Sequence, residues 1–119
     1  MNIGAVIVTY NRLDKLKKCL AAYETQTYQP SKILVVNNAS TDGTKEYLIQ
    51  WEGDNTSPVQ KYVLHMNENL GGAGGFAEGI RHMQDMEVDW IWIADDDAYP
   101  DEKCLEVIEQ YYESLLDFQ

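Results

Sequence analysis

Four times along this chain a short apolar run gives way at once to a polar cluster, and then to a segment with helical spacing. The first run, Ile3-Gly4-Ala5-Val6-Ile7-Val8, is apolar almost throughout, which suits a strand buried on both faces of a parallel sheet. Asp14 to Tyr23 follows, with Leu13, Leu16, Cys19, Leu20 and Tyr23 on one helical face. Ile33-Leu34-Val35-Val36 predicts a second buried strand. Thr44 to Trp51 predicts a helix with Tyr47, Leu48 and Trp51 on one side and Ser40 or Thr41 as its cap. Tyr62 to His65 reads as a third strand, and a helix is expected from the Gly-rich stretch 67–75 to about Met86. Asp89 to Ala94, containing Trp90-Ile91-Trp92-Ile93, reads as a fourth strand, and Pro100 and Asp101 open a last helix bearing Leu105, Val107, Ile108, Tyr111 and Tyr112. This alternation predicts an α/β fold: a mainly parallel four-stranded sheet, helices on both faces and right-handed crossovers.

The chain has 119 residues, the size of one domain, and the reading places all of 1–119 in a single unit. Its net charge of -11 argues against binding nucleic acid or anionic lipid, both of which require a positive surface. It leaves room for a divalent cation, because an anionic ligand among so many carboxylates needs a cation or backbone N–H groups to hold it. Cys19 and Cys104 match neither a zinc spacing nor a redox pair. Both are expected as buried reduced thiols, which favours a reducing compartment. Met1 leads into an apolar run with neither a basic start nor a cleavage site, and no run reaches transmembrane length. The expectation is a soluble, cytoplasmic protein, with a membrane-surface partner left open.

Open α/β sheets bind ligands beyond the carboxyl ends of their strands. Each strand here is followed there by polar residues: Thr9-Tyr10-Asn11-Arg12, Asn37-Asn38-Ala39-Ser40-Thr41-Asp42, Asn67-Glu68-Asn69-Leu70-Gly71-Gly72 and Asp95-Asp96-Asp97. All four clusters should meet on one rim. The acidic triplet is the sharpest signal. Three adjacent carboxylates raise each other's pKa unless a positive group sits between them. Strand alternation sends Asp95 and Asp97 to one side and Asp96 to the other, so that two carboxylates form a hard-oxygen site suited to Mg²⁺ or Mn²⁺. The plainer alternative is a solvated acidic turn capping the last helix.

The other clusters each carry two readings. Gly71-Gly72-Ala73-Gly74-Gly75 could let backbone approach a phosphate at a helix N-terminus, or could simply allow tight packing. It is neither a Walker loop nor a dinucleotide fingerprint. Asn37 and Asn38 could meet a base edge or shape a turn. Tyr10 could stack on a base or pack at the strand end. Arg12 and Arg81 could meet phosphate or sit on helix surfaces. His65 and His82 show no ligand spacing, and read as strand and helix-surface residues.

Four motifs stand in order: Val6-Ile7-Val8-Thr9-Tyr10-Asn11-Arg12, Val35-Val36-Asn37-Asn38-Ala39-Ser40-Thr41-Asp42-Gly43-Thr44, Asn69-Leu70-Gly71-Gly72-Ala73-Gly74-Gly75-Phe76 and Asp95-Asp96-Asp97. Together they resemble the family 2 glycosyltransferases of GT-A fold, with the Gly-rich motif most like the bacterial galactofuranosyl- and rhamnosyltransferase branch. The resemblance implies a Rossmann-like half that binds a nucleoside-diphosphate sugar, UDP- or dTDP-linked, with a divalent cation, in enzymes of cell-envelope polysaccharide synthesis. It places Thr9 and Tyr10 at the base. Asn37 stands where the family often has Asp, and its amide oxygen can still accept a base N–H. Asp95 would touch the ribose, and Asp97 would hold the metal with Asp95 and Asp96 beside it. Gly71, Gly72, Gly74 and Gly75 would approach the nucleotide, with Asn11, Arg12, Asn38, Ser40, Asp42 and Asn69 completing the donor site.

The resemblance also implies inverting transfer to an acceptor hydroxyl, on a glycan or lipid-linked acceptor, at the inner face of the membrane in the full enzyme. The general base of such enzymes is a carboxylate well downstream of the acidic triplet, beyond Gln119. The chain is therefore expected to be a donor-binding fragment with little or no transfer activity alone. Rival readings are a non-catalytic nucleotide-sugar-binding or assembly module, a metal-dependent phosphohydrolase lacking an evident nucleophile at the first strand, and, lower still, a nicotinamide-dependent dehydrogenase. A sheet ending at the fourth strand is expected to expose an apolar edge through which the chain could form a homodimer.

Overall fold

The computed structural model describes residues 1–116; positions 117–119 of the expected domain lie outside the described residues. Eight elements alternate: β1 (Ile3–Thr9), α1 (Leu13–Glu24), β2 (Lys32–Asn37), α2 (Thr44–Gly53), β3 (Gln60–His65), α3 (Gly71–Gln84), β4 (Trp90–Asp95) and α4 (Cys104–Leu116). Every expected strand and helix is present. All the strands are parallel, in the order β3-β2-β1-β4. The chain thus builds outward from β1 through β2 to β3, then returns to place β4 on the other side of β1.

β1 is buried along its whole length, as its continuous apolar run requires. Its side chains alternate between two cores. Ala5 and Ile7 join Leu16, Cys19, Leu20 and Tyr23 of α1 and Leu48 and Trp51 of α2 on one face. Val6 and Val8 join Leu34, Val36 and Met83 of α3 on the other. Each such aliphatic side chain contributes roughly 1.5–3 kcal/mol by leaving water. α4 is anchored at its start, where Leu105 is fully buried and Gln26 bridges the α1–β2 connection to it. The Gln26 amide donates to Asp101 O at 2.7 Å, and its Oε1 accepts from the Leu105 N–H at 3.1 Å.

The boundaries differ from expectation where local hydrogen bonding decides them. The N-cap of α2 is Gly43, at φ 93°, not Ser40 or Thr41, and Asp42 Oδ1 just before it accepts from the Thr44 N–H at 3.2 Å. α3 starts inside the glycine stretch, at Gly71, whose φ of 75° only glycine adopts freely. α4 starts at Cys104, because Asp101 first folds a turn by accepting from the Lys103 N–H. Cys19 is fully buried as expected, whereas Cys104 is only half-buried.

The two edge strands are treated differently. On β3 the Val63 N–H donates to Glu52 Oε2 of α2 at 2.9 Å, which blunts that edge. On β4, Trp90 and Ile93 are each 51% exposed. Among the described residues no helix is long and apolar enough to cross a membrane.

Candidate functional site

The strand order reverses between β1 and β4, and their carboxyl ends lie side by side, with Val8 paired to Asp95. A crevice is expected at such a switch point. A cleft of about 310 Å³ occupies it, lined by Val8, Thr9, Tyr10, Arg12, Asn38, Asn69, Gly71, Gly72, Asp95, Asp96 and Asp97. All four polar clusters contribute to this wall. Val8 is the residue the sequence did not flag; its register opposite Asp95 is what places it there.

The acidic triplet splits by environment. Asp96 is buried, at 3% exposure, whereas Asp95 and Asp97 are exposed. Thr9 Oγ1 donates to Asp96 Oδ2 at 2.8 Å, tying the end of β1 to the turn after β4. Arg12 Nη1 donates to Asp96 Oδ1 and to Asp97 Oδ2, at 3.3 Å each. Burial raises the Asp96 pKa, and the Asp97 and Asp95 charges add to this, while the Thr9 hydrogen bond and the Arg12 charge oppose it. The positive group that three adjacent carboxylates require is therefore Arg12. Directly behind the triplet, the Cys19 thiol is pushed up to about 12 by burial and by the Asp96 and Asp97 charges, so it stays protonated.

Asp95 and Asp97 offer exposed hard-oxygen donors on the cleft wall, the donor chemistry a divalent ion takes. Among the described residues no three His, Cys, Asp or Glu side chains gather into a complete cage. A cation that keeps waters or takes phosphate oxygens fits such a partial set.

The two asparagines after β2 have different roles. Asn37 Oδ1 accepts from the Ser40 N–H at 3.1 Å, and its Nδ2 meets His65 Nδ1 at 3.3 Å, so Asn37 is committed to the turn. Asn38 Nδ2 donates to Gly71 O at 3.0 Å, while its Oδ1 is buried with no partner among the described residues. An unmet buried acceptor costs about 1–3 kcal/mol. Asn38 lines the cleft and Asn37 does not.

Of the remaining predicted residues, Asn11, Ser40, Asp42, Gly74 and Gly75 fall outside the cleft wall, whereas Tyr10, Asn69, Gly71 and Gly72 line it. Asn11 and Ser40 lace the first two turns together: the Asn11 N–H donates to Ser40 Oγ at 3.0 Å, and Asn11 Oδ1 accepts from the Thr41 N–H at 2.7 Å. Asp42 also accepts from the Leu13 N–H at 3.2 Å, joining α1 to α2. Gly75 packs α3 against the sheet, since a Cβ there would lie 2.7 Å from Val8 Cγ1. A Cβ on Gly74 would lie 2.6 Å from Leu70 Cβ. Gly71 and Gly72 face open space at the start of α3, whose first N–H groups have no side-chain cap beyond Asn69, which accepts from the Gly71 N–H at 2.8 Å. Tyr10 is 44% exposed at the cleft mouth. Arg81 pairs with Glu78 on the surface of α3, away from the cleft.

Residues 5–116 match the family described as Glycosyl transferase family 2. The chain is 38% identical over 98 residues to the galactofuranosyltransferase GlfT1 of Mycolicibacterium smegmatis, covering 82% of this chain and 30% of that protein. Among solved structures it is similar to the mannosyltransferase PcManGT from Pyrobaculum calidifontis in complex with GDP-Man and Mn²⁺, at TM-score 0.72 and 25% identity, covering 85% of this chain and 29% of that one. It also shares the fold of S. aureus TarS 1–349 in complex with UDP, at TM-score 0.80 and 19% identity, covering 96% of this chain and 32% of that one. The chain thus spans about a third of the length of each of these three proteins. With four parallel strands, helices on both faces and a switch-point cleft, it has the Rossmann-like architecture of the GT-A glycosyltransferases. The chain belongs to glycosyltransferase family 2.

Proposed function

We propose that the cleft binds a nucleoside-diphosphate sugar together with Mg²⁺ or Mn²⁺, and that these residues are the donor-binding part of an enzyme that transfers the sugar, with inversion, to an acceptor hydroxyl. One observation carries this reading: two exposed carboxylates, a helix N-terminus capped only at its first N–H and a buried unmet acceptor meet in one cleft at the sheet's switch point. The similarity to a mannosyltransferase held with GDP-Man and Mn²⁺ supports it. The motifs favour UDP or dTDP as the carrier.

The residues divide the work by chemistry. Asp97 and Asp95 hold the cation. When bound, that cation supplies Lewis-acid stabilisation of the departing diphosphate. Gly71 and Gly72, which carry no side chain, let the phosphates approach the backbone, where the Gly72 N–H is free to donate, and the start of α3 favours negative charge there. Asn38 Oδ1 accepts from a base N–H or a ribose hydroxyl, and Tyr10 covers the base. Asp95, Asp96 and Asp97 are the only carboxylates on the cleft wall among the described residues, and Asp96 is committed to Thr9 and Arg12. The base for the acceptor hydroxyl therefore comes from residues other than these.

Calorimetric titration of UDP, dTDP and GDP, each with and without Mn²⁺, tests the reading. Binding is expected to need Mn²⁺ and to weaken about tenfold or more in Asp97→Ala, the loss of a charge-assisted contact. Mn²⁺-independent binding, or full affinity in the variant, would overturn it.

A further inference from the structure

Among the described residues, Arg12 is the one cationic side chain on the cleft wall. It stands at the N-terminal boundary of α1, with its side chain 48% exposed, and a single guanidinium nitrogen spans Asp96 and Asp97. The two ends of that bridge are unequal. Asp96 has a side chain 5% exposed and a second hydrogen bond from Thr9, so its position is fixed. Asp97 has a side chain 47% exposed, and Arg12 is its only hydrogen-bond donor among the described residues. The Asp96 end is a post, and the Asp97 end is an open contact held in water. An exposed pair of that kind is weak and readily exchanged.

The same Asp97 oxygen cannot serve a guanidinium 3.3 Å away and a divalent cation together without bringing two positive charges close. A guanidinium also carries five N–H donors in a planar fork, of which this bridge uses one nitrogen. Arg12 lines a second concavity as well, with Asn11, Leu13, Asp14, Lys15 and Asp42, so the side chain forms a partition with open space on either side.

We propose that Arg12 is a built-in counter-ion that makes cation binding depend on the diphosphate. With the cleft free of ligand, its charge neutralises Asp97 and holds off a bare divalent ion. When the ion arrives with a nucleoside diphosphate, Arg12 gives up Asp97, keeps Asp96 as its pivot, and donates its remaining N–H groups to phosphate oxygens. The side chain thus opposes one ligand and favours the pair, which is a positive coupling between the two. This inference rests on the donor-site reading above and adds to it the residue that sets the order of binding.

Arg12→Met removes the charge and keeps the chain's bulk. MnCl₂ alone, followed by calorimetry and by the Mn²⁺ paramagnetic resonance signal, should bind Arg12→Met on the order of fivefold more tightly than wild type. UDP in saturating MnCl₂ should bind the same variant about tenfold more weakly. Arg12→Lys, which keeps the charge and loses the fork, should leave the affinity for MnCl₂ alone near wild type. Far-UV circular dichroism establishes that both variants are folded. Opposite shifts for the two titrations support the proposal. Unchanged or weakened MnCl₂ binding in Arg12→Met, or a Lys variant that behaves like Met for MnCl₂ alone, would overturn it while leaving the donor site standing. A wild-type protein that binds UDP no better with MnCl₂ than without would overturn the donor-site reading and this inference with it.

Discussion

Asp42 and Asp96 are both carboxylates on the rim, and the fold treats them in opposite ways. Burial pushes the Asp96 pKa up. At Asp42 slight burial is outweighed by hydrogen bonds from Thr44 and from the Leu13 N–H, which leave its pKa lowered. The signs of their pH effects follow by linkage. A raised folded pKa means that stability falls as pH rises from the unfolded value to the folded one. Relative to wild type, Asp96→Asn should therefore gain stability as pH rises from acid through the ordinary carboxylate range. A lowered pKa contributes stability that is present above the unfolded value and lost as pH falls through the folded one. Asp42→Ala should thus cost about 1 kcal/mol at neutral pH, from the lost hydrogen bonds at the starts of α1 and α2, and less in acid. Urea unfolding of both variants across that range checks the two slopes, and parallel curves would refute the account. At this scale the sequence named the carboxylates but did not assign their roles. Nor could it separate Asn37 from Asn38. Both are amides at the end of one strand, and only the Ser40 and His65 contacts commit the first to the turn.

Among the elements, α3 couples packing to the cleft. Gly79 lets it lie on β1 and β2, since a Cβ there would fall 2.4 Å from Val6 Cγ1 and 3.0 Å from Val36 Cγ2. Gly79→Ala should cost about 1–3 kcal/mol as overpacking. A Cβ on Gly72, at the cleft end of the same helix, would meet nothing within 4 Å. Gly72→Ala should leave stability unchanged or slightly raised while weakening nucleotide binding. Equal stability of the two variants would contradict this division. The glycine stretch was legible as a site, but its division of labour was not. Gly71 and Gly72 face open space, whereas Gly75 and Gly79 meet Val6 and Val8 from β1, contacts that depend on where the sheet lies. β1 and β2 were legible because β-branched runs buried on both faces have few other solutions. The start of α4 was misplaced because Asp101 closes a turn before the helix begins.

For the whole molecule, the decisive fact is strand order. Alternation fixed the class of fold, but any parallel order of four strands would satisfy it. The pairing of β4 with β1 brings Thr9, Arg12 and the acidic triplet together, and the order β3-β2-β1-β4 leaves His65 beyond β2, far from them in the sheet. The molecule also carries a net charge of -11, so Mn²⁺ has many weak places to bind. The central claim is about location, and paramagnetic broadening of backbone amide NMR signals reads location. With UDP present and Mn²⁺ added in substoichiometric amounts, the account predicts broadening first at Thr9, Tyr10, Gly71, Gly72 and Asp95 to Asp97. Broadening that begins instead on acidic surfaces such as Glu106, Glu109 and Glu113 of α4, or that is the same with and without UDP, would contradict it.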